Sequence, residues 1–325
     1  MSLLEAAEYK KVETMPELRK DYVLDRFVII ASERGKRPHQ LCDDNCRKDD
    51  KTCYFCPGNE SMTPEEVMRL EKDGRWYIRV FPNKFPAVAS KGKTELSTDN
   101  SFYTYADALG AHEIVVETDK HDMQLADLSV EHLIDVLKVY RDRISELSAR
   151  ESIRYVSVYK NQGEEAGCSI VHSHTQIVAY NLVPEVIKEK EARSKGACPY
   201  CDVLAKELDS ERYVFDDPNV GCFTPYASMF PYEAWILPKR HVLKLSDLEE
   251  VELAGMAAAL KKVLVKLQGI NAPYNFYFHY GIDSLHLQLI VAPRLPKVKW
   301  AGFELSTGTI INPTTPESAA EFYRG

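Results

Sequence analysis

Ser169-Ile170-Val171-His172-Ser173-His174-Thr175-Gln176-Ile177-Val178-Ala179 sets three side chains that carry ring nitrogens or an amide two residues apart, inside an apolar, β-prone run. Successive side chains of a strand alternate faces, so His172, His174 and Gln176 are expected to project from one side at intervals of roughly 6 to 7 Å. One face of one strand would then offer a ligand, a nucleophile and a hydrogen-bond donor in a row. On spacing alone the pattern also suits a zinc pair or two hydrogen-bonded core histidines.

Outward from this strand the chain repeats itself. His112-Glu113-Ile114-Val115-Val116-Glu117-Thr118-Asp119-Lys120-His121, continued to Leu128, lies without a gap over Tyr232-Glu233-Ala234-Trp235-Ile236-Leu237-Pro238-Lys239-Arg240-His241, continued to Leu248. Glu113 falls on Glu233 and His121 on His241. Each copy leads into a helical pattern: Val130, Leu133, Ile134, Leu137, Tyr140 and Ile144 in the first, Val251, Met256, Leu260, Val263, Leu264 and Leu267 in the second. Each helix is followed by two β-prone segments, 155–159 and 170–179 in the first copy, 276–278 and 285–291 in the second. The chain therefore reads as α+β, two copies of one unit, each a mostly antiparallel sheet with helices packed on it. The charged stretch 185–195 joins them, which places the units at 1–190 and 191–325.

A length of 325 residues suits two domains or one large one. Hydrophobic content of 45% with 28% charged residues fits a soluble, enzyme-like chain, and no apolar run approaches the 18 or so residues of a membrane span. The start MSLLEAAEYKK lacks the apolar core of a signal peptide, so a cytoplasmic location is expected. A net charge of −8 argues against general nucleic-acid binding, which needs a basic face for phosphates. An anionic ligand must meet local cations.

Eight cysteines in a cytosolic chain point to thiols or metal ligands, not disulfides. Cys53-Tyr54-Phe55-Cys56 and Cys198-Pro199-Tyr200-Cys201 are both C-x-x-C, the spacing with which two thiolates grip one tetrahedral zinc. A thioredoxin-like redox pair is the competing reading, and two copies, each followed by histidines, suit metal better. A zinc site built twice should draw its ligands from equivalent positions. The first copy offers Cys53, Cys56, His121 and His172, and the second Cys198, Cys201, His241 and His286. Closed Cys2His2 sites have no open coordination position, so a structural role is expected for both zinc ions. Cys42 and Cys46 are further thiols near the first site, whereas Cys168 and Cys222 read as small buried residues.

His174 is where the copies part, because its counterpart is Gln288. An imidazole whose tautomer is fixed by its neighbours can attack phosphorus, and the phosphoramidate divides a difficult transfer into two easier steps. Gln176 on the same face can hydrogen-bond a phosphoryl oxygen as charge develops there. Upstream, Asn161-Gln162-Gly163 and Gly167-Cys168-Ser169 supply glycines that let backbone approach phosphate, with Asn161 and Ser169 as polar contacts.

These residues resemble the hexose-1-phosphate uridylyltransferases of the galactose-1-phosphate type, within the histidine-triad superfamily. The resemblance spans nearly the whole chain. It rests on Glu33-Arg34-Gly35-Lys36-Arg37-Pro38, Cys53-x-x-Cys56, Asn83-Lys84-Phe85-Pro86, Glu117 to His121, Asn161 to Gln176 and Leu237 to His241. It implies two histidine-triad-like repeats and a ping-pong transferase: His174 attacks the α-phosphorus of UDP-glucose, holds UMP, and passes it to galactose 1-phosphate. It further implies a nucleoside pocket at Asn83, Lys84 and Phe85, and phosphate contacts near Asn161, Gly167, Cys168, Ser169 and Gln176. Glu304 is expected at the hexose. The resemblance also implies a homodimer with the active site at its interface, where Arg34 and Arg37 of one protomer reach phosphate or sugar in the other. A solvated charged turn is the plainer reading of that basic cluster.

There are three departures from the family pattern. Ser173 stands where proline is usual, leaving a backbone N–H and a looser φ at the catalytic strand. Cys198 and Cys201 stand in a half where some relatives bind metal through a carboxylate and histidines, one of which His279 matches. Ile310 stands where many uridylyltransferases carry glutamine. The tail around it resembles the ADP-glucose phosphorylases, which use an adenine nucleotide and inorganic phosphate, and this is the rival reading within the same chemistry. A non-catalytic zinc- and nucleotide-binding protein is the rival from another class. A dinucleotide hydrolase is the third.

Overall fold

Hydrophobic spacing and capping account for the two long helices. The computed structural model describes residues 15–20, 27–30, 53–100, 102–295 and 300–325. The first copy runs β1 Glu17–Lys20, β2 Phe27–Ile30, β3 Met68–Lys72, β4 Arg75–Pro82, β5 Ser97–Asp99, β6 Tyr103–Asp107, β7 Gly110–Val116, α1 Val130–Ser148, β8 Tyr155–Gln162 and β9 His174–Tyr180. The second continues α2 Glu185–Ser194, α3 Pro199–Leu208, β10 Tyr213–Asp216, β11 Val220–Phe223, β12 Ala234–Pro238, α4 Glu250–Gly269, β13 Tyr274–His279, β14 Gln288–Pro293, α5 Gly302–Thr307 and α6 Pro316–Arg324.

Ser129 caps α1 by accepting the His132 N–H at 3.2 Å, and Glu249 with Glu252 forms a capping box on α4. Leu133, Leu137, Tyr140, Ile144 and Leu147 then fall on one buried stripe of α1, and Leu253, Met256, Leu260, Val263 and Leu267 on one of α4. Burying each leucine removes an apolar side chain from water and contributes about 1.5–3 kcal/mol.

Ten strands form one antiparallel sheet in the order β3-β4-β7-β9-β8-β13-β14-β12-β11-β10. Each copy supplies a five-stranded half, more strands than the repeat had marked, and the halves are mirror-ordered about the β8–β13 pair. Tyr159 opposite Tyr277 and Gln162 opposite Tyr274 make that seam. One core, containing Leu133, Val158, Phe278 and Leu289, runs through both halves. The helix α2 spans the position expected for the boundary. A second antiparallel sheet, β2-β1-β6-β5, is not hydrogen-bonded to the large one but packs on it through Leu18, which clusters with Val88, Ala108 and Val178 of β9.

Strand alternation gives the first half two distinct faces. Val115, Val156, Val158, Ile177 and Ala179 join the core with α1 and α4. Ile114 and Val116 point the other way and pack with Cys53, Phe55, Cys56 and Phe81. The C-x-x-C loop therefore covers the face opposite the helices. The strand ladder of β9 begins at His174, so His174 and Gln176 share a face while His172 sits in the segment leading into the strand. That is a difference from the three-in-a-row reading. His172 is held instead by its side chain, which turns to the thiols.

Candidate active site and metal centres

Cys53, Cys56, His121 and His172 bring one ligand atom each within 4.8 Å of one another, and so do Cys198, Cys201, His241 and His286. In the first group His121 Nδ1 lies 3.3 Å from Cys56 Sγ, and His172 Nδ1 lies 3.6 Å from both sulfurs. A tetrahedral zinc, with Zn–S of about 2.3 Å and Zn–N of about 2.0 Å, separates its ligands by distances of this size. His172 Nε2 donates to the Thr118 carbonyl at 2.8 Å, which fixes the proton there and leaves the Nδ1 lone pair facing the thiols.

The second group copies the first. Cys201 Sγ lies 3.4 Å from His241 Nδ1 and 3.5 Å from His286 Nδ1, while His286 Nε2 donates to the Pro238 carbonyl at 2.9 Å. Pro238 is the repeat partner of Thr118, so ligand and carbonyl anchor are both duplicated. Both donor sets therefore fit a structural zinc. They differ in depth: Cys53, Cys56 and His172 are buried, whereas His241 is exposed and Cys198 and Cys201 are half-buried. His279, the fifth candidate, accepts a hydrogen bond at Nδ1 from Lys190 Nζ at 2.9 Å and lies outside the metal group.

A cavity of about 240 Å³ opens beside the first Cys2His2 group, lined by Tyr54, Phe55, Phe81, Asn83, Lys84, Phe85, Ile114, Ser169, His174 and Gln176 among others. His174 stands edge-on to Phe55 with ring centroids 5.3 Å apart. Its Nδ1 donates to the His172 carbonyl at 2.9 Å, so the lone pair is on Nε2. Burial first, then the positive charge of Lys160, lowers its pKa to about 4, and the ring is neutral at pH 7. A neutral imidazole with one fixed N–H is a competent nucleophile.

Behind His174 lies a charged network. Lys160 Nζ sits 2.6 Å from Glu117 Oε2 and donates to Ser173 Oγ and the His174 carbonyl, both at 3.0 Å. Glu117 also accepts from Ser173 Oγ at 2.6 Å, Tyr140 OH at 2.6 Å and Thr175 Oγ1 at 2.5 Å. Burial pushes the Glu117 carboxyl up, but Lys160 and the hydroxyls hold it below its ordinary value. Its counterpart in the second copy is Leu237, so the network belongs to the copy that carries His174.

The structure brings His174, Gln176, Ser169, Asn83, Lys84 and Phe85 to one cavity. Asn161 lies near the end of β8, and Gly167 and Cys168 in the loop that leads from it to Ser169. Asn161 Nδ2 donates to the Gly167 carbonyl at 3.4 Å and its Oδ1 accepts from Asn275 at 2.9 Å. Gly163 (φ 86°) and Gly167 (φ 83°) take left-handed conformations that shape this turn, and a Cβ at Gly163 would lie 2.8 Å from Pro273 Cβ. Glu304 does not line the cavity. It caps its own helix α5, accepting from the Ala301 N–H at 2.9 Å. Arg34 and Arg37, with Cys42 and Cys46, lie outside the described residues.

Sequence reading passed over Lys160 and left His112 without a role. A lysine at the end of the β-prone run 155–160 and a glutamate at the end of Ile114-Val115-Val116 were the available signals. Their pairing is visible only once β7, β8 and β9 are neighbours.

A family model described as galactose-1-phosphate uridyl transferase, N-terminal domain, matches residues 6–184, more than half of the chain. An ADP-glucose phosphorylase of Arabidopsis thaliana is 33% identical over 332 residues, covering 95% of this chain and 92% of that protein. A galactose-1-phosphate uridylyltransferase of Thermotoga maritima is 29% identical, covering 95% and 98%. Among solved structures, a uridylyltransferase superposes with a TM-score of 0.77 at 26% identity, covering 95% of this chain and 97% of that one. The Arabidopsis ADP-glucose phosphorylase with bound ADP-glucose gives 0.74 at 31%, covering 95% and 98%. The chain belongs to the galactose-1-phosphate uridylyltransferase family. No helix among the described residues is long and apolar enough to cross a membrane.

Proposed function

We propose that this protein transfers a nucleoside monophosphate from a nucleoside diphosphate sugar to a second acceptor through a covalent nucleotidyl-histidine. The observation that carries this is His174: its Nδ1 proton is bound to a carbonyl, and it shares a cavity with Gln176. His174 Nε2 attacks the α-phosphorus, forming P–N as the bond to the bridging oxygen breaks and sugar 1-phosphate leaves. The acceptor's phosphate oxygen then attacks the same phosphorus and P–N breaks. Gln176 donates to the phosphoryl oxygen where charge develops. Asn83, Lys84, Phe85 and Phe81 hold the nucleoside. Zinc at the two Cys2His2 groups supplies rigidity, not chemistry.

As donor and acceptor we propose UDP-glucose and galactose 1-phosphate. A second reading, ADP-glucose with inorganic phosphate, is favoured by the Arabidopsis relative and by Ile310 in the tail. A homodimer that brings Arg34, Arg37 and Glu304 to the partner's cavity completes the proposal. α-Labelled UDP-glucose and ADP-glucose, offered separately, test it. Acid-labile, base-stable label on the protein from one donor, absent in His174→Gly, is expected and names the base. Label from neither donor on zinc-replete protein overturns the covalent reading.

A further inference from the structure

The two copies keep their metal ligands and lose three other residues together. His174 becomes Gln288, Gln176 becomes Ile290, and His112 becomes Tyr232. Tyr232 serves packing: its ring lies 4.8 Å from that of Phe322, and its carbonyl accepts from Tyr323 OH at 2.6 Å. His112 serves something else. It is buried on β7 beside β9, on the face that carries His174 and Gln176.

Its ring has a determined tautomer. The Ala87 backbone N–H donates to His112 Nδ1 at 3.0 Å, and a backbone amide has no other role to take. The ring proton is therefore on Nε2, 3.0 Å from Gln176 Oε1. Asn83 Nδ2, 3.1 Å from the same nitrogen, is itself a donor, because Asn83 Oδ1 accepts from the Phe85 N–H at 2.9 Å. Nε2–H thus has Gln176 Oε1 as its acceptor, and Tyr159 OH donates to that oxygen at 3.3 Å. With Oε1 held by two donors, the Gln176 amide cannot flip without setting its NH2 against them. The NH2 is the end left for a ligand in the cavity.

We propose that His112 is a positioning residue for the transfer reaction: its Nε2–H, with Tyr159, holds the Gln176 amide so that NH2 faces the phosphoryl group under attack. The proposal rests on the reading of His174 as nucleophile. The energetic reason is preorganisation: a donor fixed before the reaction needs no reorientation as charge develops.

Two variants separate positioning from mere packing. In His112→Asn the side-chain oxygen can still accept from Ala87 but the amide is too short for Gln176. In His112→Gln the longer amide reaches Gln176 Oε1 and donates to it. On 15N-labelled full-length protein, the side-chain NH2 signals of Gln176, assigned by their loss in Gln176→Ala, should be sharp and well separated in the parent. They should collapse or broaden in His112→Asn and recover in His112→Gln. Single-turnover labelling should slow by about tenfold to a hundredfold in His112→Asn, with donor affinity held within about twofold, and return largely in His112→Gln. His112→Asn should also add little to Gln176→Ala. Unchanged Gln176 signals in His112→Asn, equal damage in both variants, or a loss confined to donor affinity would overturn the proposal. If the parent takes no label from either donor, the nucleotidyl-histidine reading fails, and the Gln176 signals alone decide whether His112 orients the amide.

Discussion

Lys160 Nζ lies 2.6 Å from Glu117 Oε2, with both side chains wholly buried directly behind the backbone of His174. A cation and an anion removed from water tolerate the loss of both partners far better than the loss of one. Lys160→Met, which strands the Glu117 carboxylate, should therefore cost about 3–5 kcal/mol in urea unfolding. Adding Glu117→Leu, the residue at the equivalent position of the second copy, should restore most of that stability. A single variant as stable as the parent would show that the pair is not electrostatically coupled.

Ser173 joins that pair, donating to Glu117 at 2.6 Å and accepting from Lys160 at 3.0 Å. The serine that departs from the family's usual proline is thus one member of a matched set. Ser173→Pro removes the hydroxyl and should destabilise by about 1–3 kcal/mol in the parent. In the Lys160→Met, Glu117→Leu background the same change should cost less, because no buried charge is left waiting for it. The four-way cycle of unfolding free energies measures this coupling, and simple additivity would refute it.

The two metal centres should be lost in order. His241 is exposed and its cysteines are half-buried, whereas three of the four ligands in the first group are buried. A chelator titration followed by elemental analysis should remove one zinc per chain early with transfer activity retained, and the second with loss of both activity and fold. Cys198→Ser should contain one zinc, and Cys53→Ser should fail to fold or bind nucleotide. Simultaneous release of both ions would contradict the difference in depth.

Lys190 bonds His279 Nδ1 and Gln288 Oε1, both at 2.9 Å, and stands 5.5 Å from the ring centres of Tyr200 and Trp235. Burial lowers its pKa to about 8, so between pH 8 and the unfolded value near 10.5 the unfolded chain binds more protons than the folded one. Stability contributed through this group therefore rises with pH across that window. The difference in unfolding free energy between the parent and Lys190→Met should shift in the parent's favour from pH 8 to pH 10. A flat or opposite difference would mean that the lysine is not desolvated.

The α+β class, the duplication and both ligand sets were legible because each depends on local pattern. Alternation marks a strand, a three-four stripe marks a helix, and C-x-x-C sets two thiols at a fixed short separation whatever surrounds them. The comparison of copies also singled out His174 for the proposed role, since its counterpart is Gln288 while the neighbouring ligand position is kept. Cys53 and His172 are 119 positions apart, yet the repeat predicted their partnership.

Tertiary structure decided what lies between those positions. That the two half-sheets fuse along β8 and β13 into one sheet is a property of strand edges, which no single strand reveals. That Glu304 caps its own helix within the chain is likewise visible only in the fold. Lys160 and Glu117 look like ordinary charged residues at the ends of two strands until burial pairs them with each other. His112 acquires a tautomer, and with it a role, only when the Ala87 amide arrives at one nitrogen and Gln176 at the other. Sequence by itself determined which residues could ligate and attack, since that is chemistry carried by the side chain. Orientation and protonation are set by neighbours brought from far along the chain, and those the fold alone supplies.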